Sequence, residues 1–390
     1  MPAALTCFAT CAVGLEPLLA GELHALAAGR SLEPGTEEPG GIEFRADTSG
    51  LYAANLHLRT ASRIVVRVGS FHASAFHELE RRARRLPWET FIPPGAALAF
   101  RVSARKSRLY HQGAIAERLL AAAAERVPGL RAAPEVTEED AAGVEVQRII
   151  VRLFRDECTL SADSSGQLLH RRGYRLATAK APLRETLAAA MLLGAGYDGS
   201  APLLDPMCGS GTIPIEAALL ARRIPPGRGR RFAFESWPGF EAERWRGLLA
   251  EADERILSTT SAPILGSDRD DGAVTAARAN AERAGVASDL ALRRAAISAI
   301  EPPTPAGWLI TNPPYGVRVG ERVRLRNLFA QLGNVARRRC PGWRIAFLSA
   351  HAELERQTGL PLEPRFATLN GGIRVRLVQG TIPATQAAPV

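Results

Sequence analysis

Apolar and polar positions follow two different rhythms along this chain. In the first, Leu5 to Cys11 alternates as a short strand, and Gly14-Leu15-Glu16-Pro17 opens a helix with Leu18, Leu19, Leu23 and Leu26 on one face. Gly29 closes that helix. Strands are then predicted over residues 41–46, 64–68, 97–104, 147–154 and 160–163, with helices over 51–60, 76–86 and 114–126. Mixed lengths without a glycine-rich crossover predict an α+β module. From Leu203 the rhythm changes to short apolar strands alternating with helices. Strands near 203–204, 263–266, 290–292 and 308–311, then 344–349 and 374–379, predict a doubly wound α/β sheet. Gln386 to Val390 reads as a frayed tail.

Composition narrows the class. At 390 residues with 46% apolar and 23% charged positions, the chain predicts two or three domains with real cores. No run of about 18 apolar residues predicts a membrane span, and the N-terminus lacks signal-peptide order, so a cytoplasmic protein is expected. Five scattered cysteines without a CxxC pair predict reduced thiols and no metal site. The net charge of +9 is uneven: residues 1–170 carry 19 Lys+Arg against 20 Asp+Glu, and residues 171–390 carry 30 against 20. A polyanionic partner is therefore sought first in the second half. One stretch of the first half also suits nucleic acid, because Arg101, Arg105, Lys106 and Arg108 converge with Tyr110 and His111 where a strand gives way to a helix. A connector dense in cations (Arg171, Arg172, Arg175) leads to Lys180, where the next helix starts with Pro182 near its first turn; these four cations, with Arg105, Lys106 and Arg108, are the candidate RNA-binding residues.

Three strand ends carry the chemistry. Asp205-Pro206-Met207-Cys208-Gly209-Ser210-Gly211-Thr212 follows a strand and opens a helix, so its glycines let a ligand approach helix N–H groups. Asp205 would repel a pyrophosphate but attract the cationic ammonium and sulfonium of S-adenosylmethionine. Asp268, ending the next strand, is placed to accept ribose hydroxyls. The long gap before it comes from an insertion over residues 224–262, whose aromatics (Phe232, Phe234, Trp237, Phe240, Trp245) read as packing. No acid follows the third strand, which leaves a backbone contact near Ala296 as the expected adenine reader. After the fourth strand comes Asn312-Pro313-Pro314-Tyr315. Two prolines end the ladder in a rigid bend. The Asn312 amide oxygen and the Pro313 carbonyl can accept both protons of an exocyclic amine while Tyr315 stacks on its ring, which needs the ring and not the hydroxyl. Acceptors on both N–H bonds localise the nitrogen lone pair for methyl transfer.

These motifs resemble those of the THUMP-domain RNA guanine-N2 methyltransferases, in particular the large-subunit ribosomal RNA enzymes formerly classed as N6-adenine-specific DNA methylases. Phe8 to Cys11 with Gly14 to Glu16, residues 55–63, Leu86 to Trp88, Lys180 to Thr186, Asp205 to Thr212, Asn312 to Gly316, and Leu369 to Gly372 carry the resemblance. It implies a ferredoxin-like segment over 1–55, a THUMP RNA-binding domain over 56–165, a basic linker and helix over 166–200, a Rossmann-like methyltransferase domain over 201–382 and a tail over 383–390. It also implies that Asn312 to Tyr315 hold the target amine, that Asp205 to Thr212 with Asp268 hold the methyl donor, and that RNA is the partner, with no obligate protein partner. Ribosomal RNA is the expected substrate. A transfer RNA guanine, a DNA adenine and an inactive RNA-binding factor are the alternatives, the last disfavoured by Asp205 and Asn312 both being present.

Overall fold

The structure, a computed structural model, describes residues 4–133, 146–175, 183–315 and 322–384. Lys180, Gly316 and the tail residues 385–390 lie outside the described residues. The chain forms two compact units, one of Met1–Cys11, Ala20–Leu169 and Arg230–Ala250, the other of Ala12–Leu19, His170–Gly229 and Glu251–Val390.

The first unit is built on one eight-stranded sheet. Its elements run β1 (Leu5–Thr10), α1 (Glu16–Ala27), β2 (Leu32–Glu38), β3 (Gly41–Ala46), α2 (Thr48–His57), β4 (Arg63–His72), α3 (Phe76–Ala83), β5 (Ala97–Arg105), α4 (Gln112–Ala124), β6 (Arg131–Ala132), β7 (Val146–Phe154) and β8 (Glu157–Asp163), with α1 continuing from the second unit. The strand order is β2-β3-β1-β4-β8-β7-β5-β6. The ten-residue β4 joins its two halves: Arg63 to Val66 pair with β1, and Val65 to His72 pair with β8. Strand alternation buries Cys7, Ala9, Ile42, Phe44, Ile64, Ile149, Val151 and Leu160. The sequence pattern does not predict β2, because Pro34 and Gly35 depress strand propensity; such a strand is tolerated at the sheet edge it occupies.

Part of the insertion folds with this first unit, although the sequence places it inside the methyltransferase half. Its aromatics supply the reason. Phe234 is fully buried and stacks on Tyr52 at 4.3 Å, Trp245 meets Phe234 edge-on, and Trp237 packs edge-on against Phe91 at 5.0 Å. Packing, as expected, is the use of these rings.

The second unit contains α5 (Glu185–Ala195), β9 (Leu203–Asp205) and α6 (Thr212–Ala221). After α7 (Ala242–Glu254) it continues with β10 (Ile264–Asp268), α8 (Asp271–Arg283), β11 (Leu290–Arg294), β12 (Trp308–Thr311), α9 (Arg322–Arg339), β13 (Arg344–Ser349), α10 (Ala352–Gln357), β14 (Glu363–Asn370) and β15 (Ile373–Thr381). The sheet order is β11-β10-β9-β12-β13-β15-β14; β11 to β13 are parallel, and β15 runs antiparallel to both its neighbours. This is the doubly wound sheet the rhythm predicts, completed by a hairpin whose strand β14 the rhythm does not. The order reverses between β9 and β12, the switch point at which such sheets bind ligands. Leu204, Leu309, Phe329, Ile345 and Phe347 form the core beneath it. No helix among the described residues is long and apolar enough to cross a membrane.

Candidate active site

Three strand ends converge chemically at the switch point. β9 ends in Asp205, whose side chain is almost fully buried. Its Oδ1 accepts from the Thr311 hydroxyl at 2.6 Å and from the Met207 N–H at 3.1 Å. Burial pushes this carboxyl up to about 7, with the two hydrogen bonds acting in the opposite direction. An acid held so far from water is costly unless a cation completes it.

The loop after β9 is fixed from both sides. Cys208 N–H donates to the Ser267 carbonyl at 2.9 Å, and Gly209 N–H donates to Asp268 Oδ2 at 3.0 Å. Asp268 Oδ1 accepts from the Asp270 N–H at 3.0 Å. Each carboxylate oxygen keeps a further lone pair for a ligand hydroxyl. Gly209 and Gly211 both have positive φ, +52° and +84°. A Cβ on Gly209 would meet nothing within 4 Å, whereas one on Gly211 would come within 2.9 Å of the Ala277 side chain. One glycine therefore leaves space above the loop and the other allows close helix packing. Gly211 caps α6, whose N-terminus can meet an anion. Beyond β11, Ala295 N–H donates to the Asp268 carbonyl and Ala296 is exposed, so the neighbourhood expected to read adenine is anchored to the Asp268 strand end.

After β12, Pro313 is buried and Asn312 half-buried. The Asn312 Oδ1 atom is nevertheless out of contact with water and has no hydrogen-bond partner among the described residues. Tyr315 has a partner that the sequence does not indicate. The ring is only 8% exposed, and its hydroxyl accepts a hydrogen bond from Asn370 Nδ2 in the β14–β15 hairpin. The hydroxyl thus has a structural partner that a purely stacking ring would not need.

The connector also requires correction. Arg172 is buried and ion-paired with the buried Glu216 at 3.5 Å, so it is not a phosphate ligand. Arg175 donates to the Leu183 carbonyl at 2.8 Å and the Thr212 hydroxyl at 2.6 Å, and pairs with Glu185 at 3.4 Å. Both guanidiniums brace the helix carrying the glycine loop, and the Thr212 hydroxyl is occupied by that brace. Arg171 is half-buried. Two residues of α8 that the sequence does not single out extend the brace: Asn280 Nδ2 donates to the Ser210 carbonyl at 3.0 Å, and Arg283 donates to Asn280 and to the Tyr174 carbonyl. A helical i,i+3 pair carries no signal of such a role.

In the first unit, Arg105, Lys106, Arg108, Tyr110 and His111 are exposed, as a polyanion surface requires. Their loop is pinned. Arg108 N–H donates to Asp156 Oδ1 at 2.7 Å, Ser107 bridges Arg105 and Asp156, and Lys106 adopts φ +52°.

A doubly wound sheet with a glycine loop, two acids and an Asn-Pro-Pro-Tyr turn at its switch point defines an S-adenosylmethionine-dependent methyltransferase. The RMKL-like methyltransferase domain matches residues 172–374, the RlmL ferredoxin-like domain residues 6–65 and the THUMP domain residues 73–163. The chain belongs to the RMKL-like methyltransferase family. It is 34% identical over 375 residues to slr0064 of Synechocystis sp., named as an RNA methyltransferase, covering 95% of each chain. It is 37% identical over 392 residues to ribosomal RNA large subunit methyltransferase K/L of Methylococcus capsulatus, covering 97% of this chain and 51% of that protein. The chain thus spans about half the length of the K/L relatives it matches. SMU.472, a solved methyltransferase structure complexed with SAH, shares 29% identity and a TM-score of 0.86 over both whole chains. TrmN from Thermus thermophilus, at 22% identity and TM-score 0.69 over 96% of this chain and 98% of its own, shares the fold.

Proposed function

We propose that this protein methylates the exocyclic N2 amine of a guanine in RNA, with large-subunit ribosomal RNA as its substrate. The observation that carries the reading is the Asn312 amide oxygen, buried and unpartnered at the switch point. A buried acceptor without a donor costs stability and persists where a ligand supplies the donor. An exocyclic amine is such a donor, and the Pro313 carbonyl can accept a hydrogen bond from its second N–H. These acceptors localise the nitrogen lone pair and stabilise the positive charge that develops as nitrogen meets the methyl carbon.

The residues present fit the methyl donor. Asp205 offers buried negative charge to the ammonium, Asp268 offers lone pairs to the ribose, and the Gly209 backbone leaves open space. Cys208, Ser210 and the α6 N-terminus shape the loop, and Pro206 fixes its entry. When bound, S-adenosylmethionine supplies an electrophilic methyl group; the protein supplies orientation and acceptors.

Because the base must leave its stack to reach this turn, Pro313, Pro314 and Tyr315 form the wall it meets. The exposed cations Arg105, Lys106 and Arg108 are assigned to the RNA backbone in the THUMP half. The names of the K/L relatives favour ribosomal RNA. Mass spectrometry of ribosomal and transfer RNA from a strain lacking the gene tests the reading. Loss of one N2-methylguanine from large-subunit RNA is expected. Loss from transfer RNA instead would reassign the substrate, and loss of N6-methyladenine from DNA would overturn the guanine assignment.

A further inference from the structure

The β14–β15 hairpin ends in a two-residue turn, Gly371-Gly372, with φ of +56° and +83°. Positive φ at both central positions makes a tight tip whose twist matches the strands. Residues directly opposite in an antiparallel pair share a face. On one face Thr368 opposes Val375 and both are buried; the next and last pair on that face is Asn370 opposite Ile373. The Asn370 amide donates to the Tyr315 hydroxyl, which places this pair at the Asn-Pro-Pro-Tyr turn. Ile373 is 41% exposed, and Leu369, on the other face opposite the exposed Arg374, is 55% exposed. Two of the seven exposed large apolar side chains among the described residues thus belong to one hairpin tip beside Tyr315. Of the two, Ile373 shares its face with Asn370 and so lies on the Tyr315 side of the hairpin.

We propose that this tip is an RNA-contacting part of the target site. Asn370 positions the Tyr315 ring, and Ile373 packs against the nucleobase next to it. The proposal rests on the reading of the site as an RNA guanine methyltransferase. Taking a guanine out of its stack exposes the faces of its neighbours, and an aliphatic side chain at the exit covers such a face. Arg374, on the outer face with Leu369, suits the phosphate backbone that runs past the extruded nucleotide.

The test uses the full chain and large-subunit ribosomal RNA from the deletion strain. Ile373→Ser is expected to raise KM for that RNA about tenfold, the scale of losing the burial of one aliphatic side chain, while calorimetric affinity for S-adenosylmethionine stays within about twofold. Asn370→Ala and Tyr315→Phe should each lower the single-turnover rate. The double variant should be no slower than the slower single, because the same hydrogen bond is absent from all three. Additive losses in that cycle would make Asn370 a fold residue and overturn its positioning role. An unchanged RNA KM in Ile373→Ser would overturn the RNA-contacting role of the tip, and a changed sedimentation mass in the same variant would assign the tip to a second copy instead. If wild-type protein methylates no guanine in RNA, the underlying reading fails; if it does and the variants match it, only the hairpin proposal fails.

Discussion

The Thr311 hydroxyl donates to Asp205 Oδ1 at 2.6 Å, tying the end of β12 to the end of β9 across the switch point. One strand end leads into the turn assigned to the target amine and the other into the loop assigned to the methyl donor. This buried hydrogen bond extends the β9–β12 ladder to the strand ends and so fixes the two assigned halves of the site relative to each other.

That bond sets a pH dependence. Burial raises Asp205 to about 7, and the Thr311 hydroxyl opposes the rise. Only the ionised form attracts the cationic donor, so affinity for S-adenosylmethionine should increase as pH rises through about 7. Thr311→Ala should move this rise to higher pH and weaken binding near neutrality by about tenfold or more, in line with removing a hydrogen bond to a charged group; Thr311→Ser should restore it. For the unliganded fold the sign is opposite. An acid whose folded value is raised stabilises fully below its unfolded value and loses that contribution as pH rises through about 7. Glu185, also raised to about 7 by burial, adds to the same trend. Calorimetry and thermal melts between about pH 5 and 8.5 check both slopes, and a flat binding profile would remove Asp205 from the donor site.

The two basic clusters should separate by experiment. Arg172→Ala removes the cation paired with the fully buried Glu216 and leaves the Tyr174 hydroxyl as the donor to its carboxyl group, a loss of up to about 3–5 kcal/mol. It should lower the melting temperature without changing the salt dependence of RNA binding. Replacing Arg105, Lys106 and Arg108 together by Ala should do the reverse, flattening the log–log slope by about 0.7 for each phosphate no longer neutralised. Filter binding across a salt series distinguishes them; a slope altered only by the connector variant would place the RNA elsewhere.

The two loop glycines should fail differently. Gly211→Ala would force a Cβ to within 2.9 Å of Ala277 at a left-handed φ, so its cost should appear in stability. Gly209→Ala meets nothing, so it costs only the left-handed strain of about 1–2 kcal/mol. Its added methyl occupies space assigned to the ligand, and its cost should appear chiefly in S-adenosylmethionine affinity. Melting curves with and without the ligand test this contrast, and equal ligand-induced shifts in both variants would contradict it.

Where local periodicity and punctuation decide structure, the sequence is readable. The parallel strands ending in Asp205, Asp268 and Thr311 and the glycine loop all follow from apolar runs bounded by turn residues. What escapes is what long-range contact decides. β2 and β14 contain Pro34 and Pro364 and are held by their neighbours rather than by propensity. Arg172 and Arg175 look like a solvated basic run until Glu216 and Glu185, distant in the chain, are seen to bury them. Tyr315 reads as a stacking ring, but its hydroxyl partner Asn370 lies 55 residues further on and no spacing rule connects them.

Asn312 provides the sharpest separation of function from stability. Its amide oxygen is buried without a partner, so the folded protein gains nothing from it and bears its desolvation cost. Asn312→Ala removes that cost at the expense of a small void, and the melting temperature should stay level or rise. The same substitution leaves the amine's developing positive charge without a preorganised acceptor, and the single-turnover rate should fall about 10²–10³-fold. S-adenosylmethionine affinity should change much less, because Asn312 is assigned to the base. Asn312→Asp should retain part of the rate, since a carboxylate also accepts and favours a nearby cation, but burying its charge should lower stability. Rate and melting temperature would then move in opposite directions for Asn312→Ala, the pattern expected where a site keeps an unsatisfied group for its substrate. A full methylation rate in Asn312→Ala would reduce the turn to a strand end and remove the basis for the proposed function.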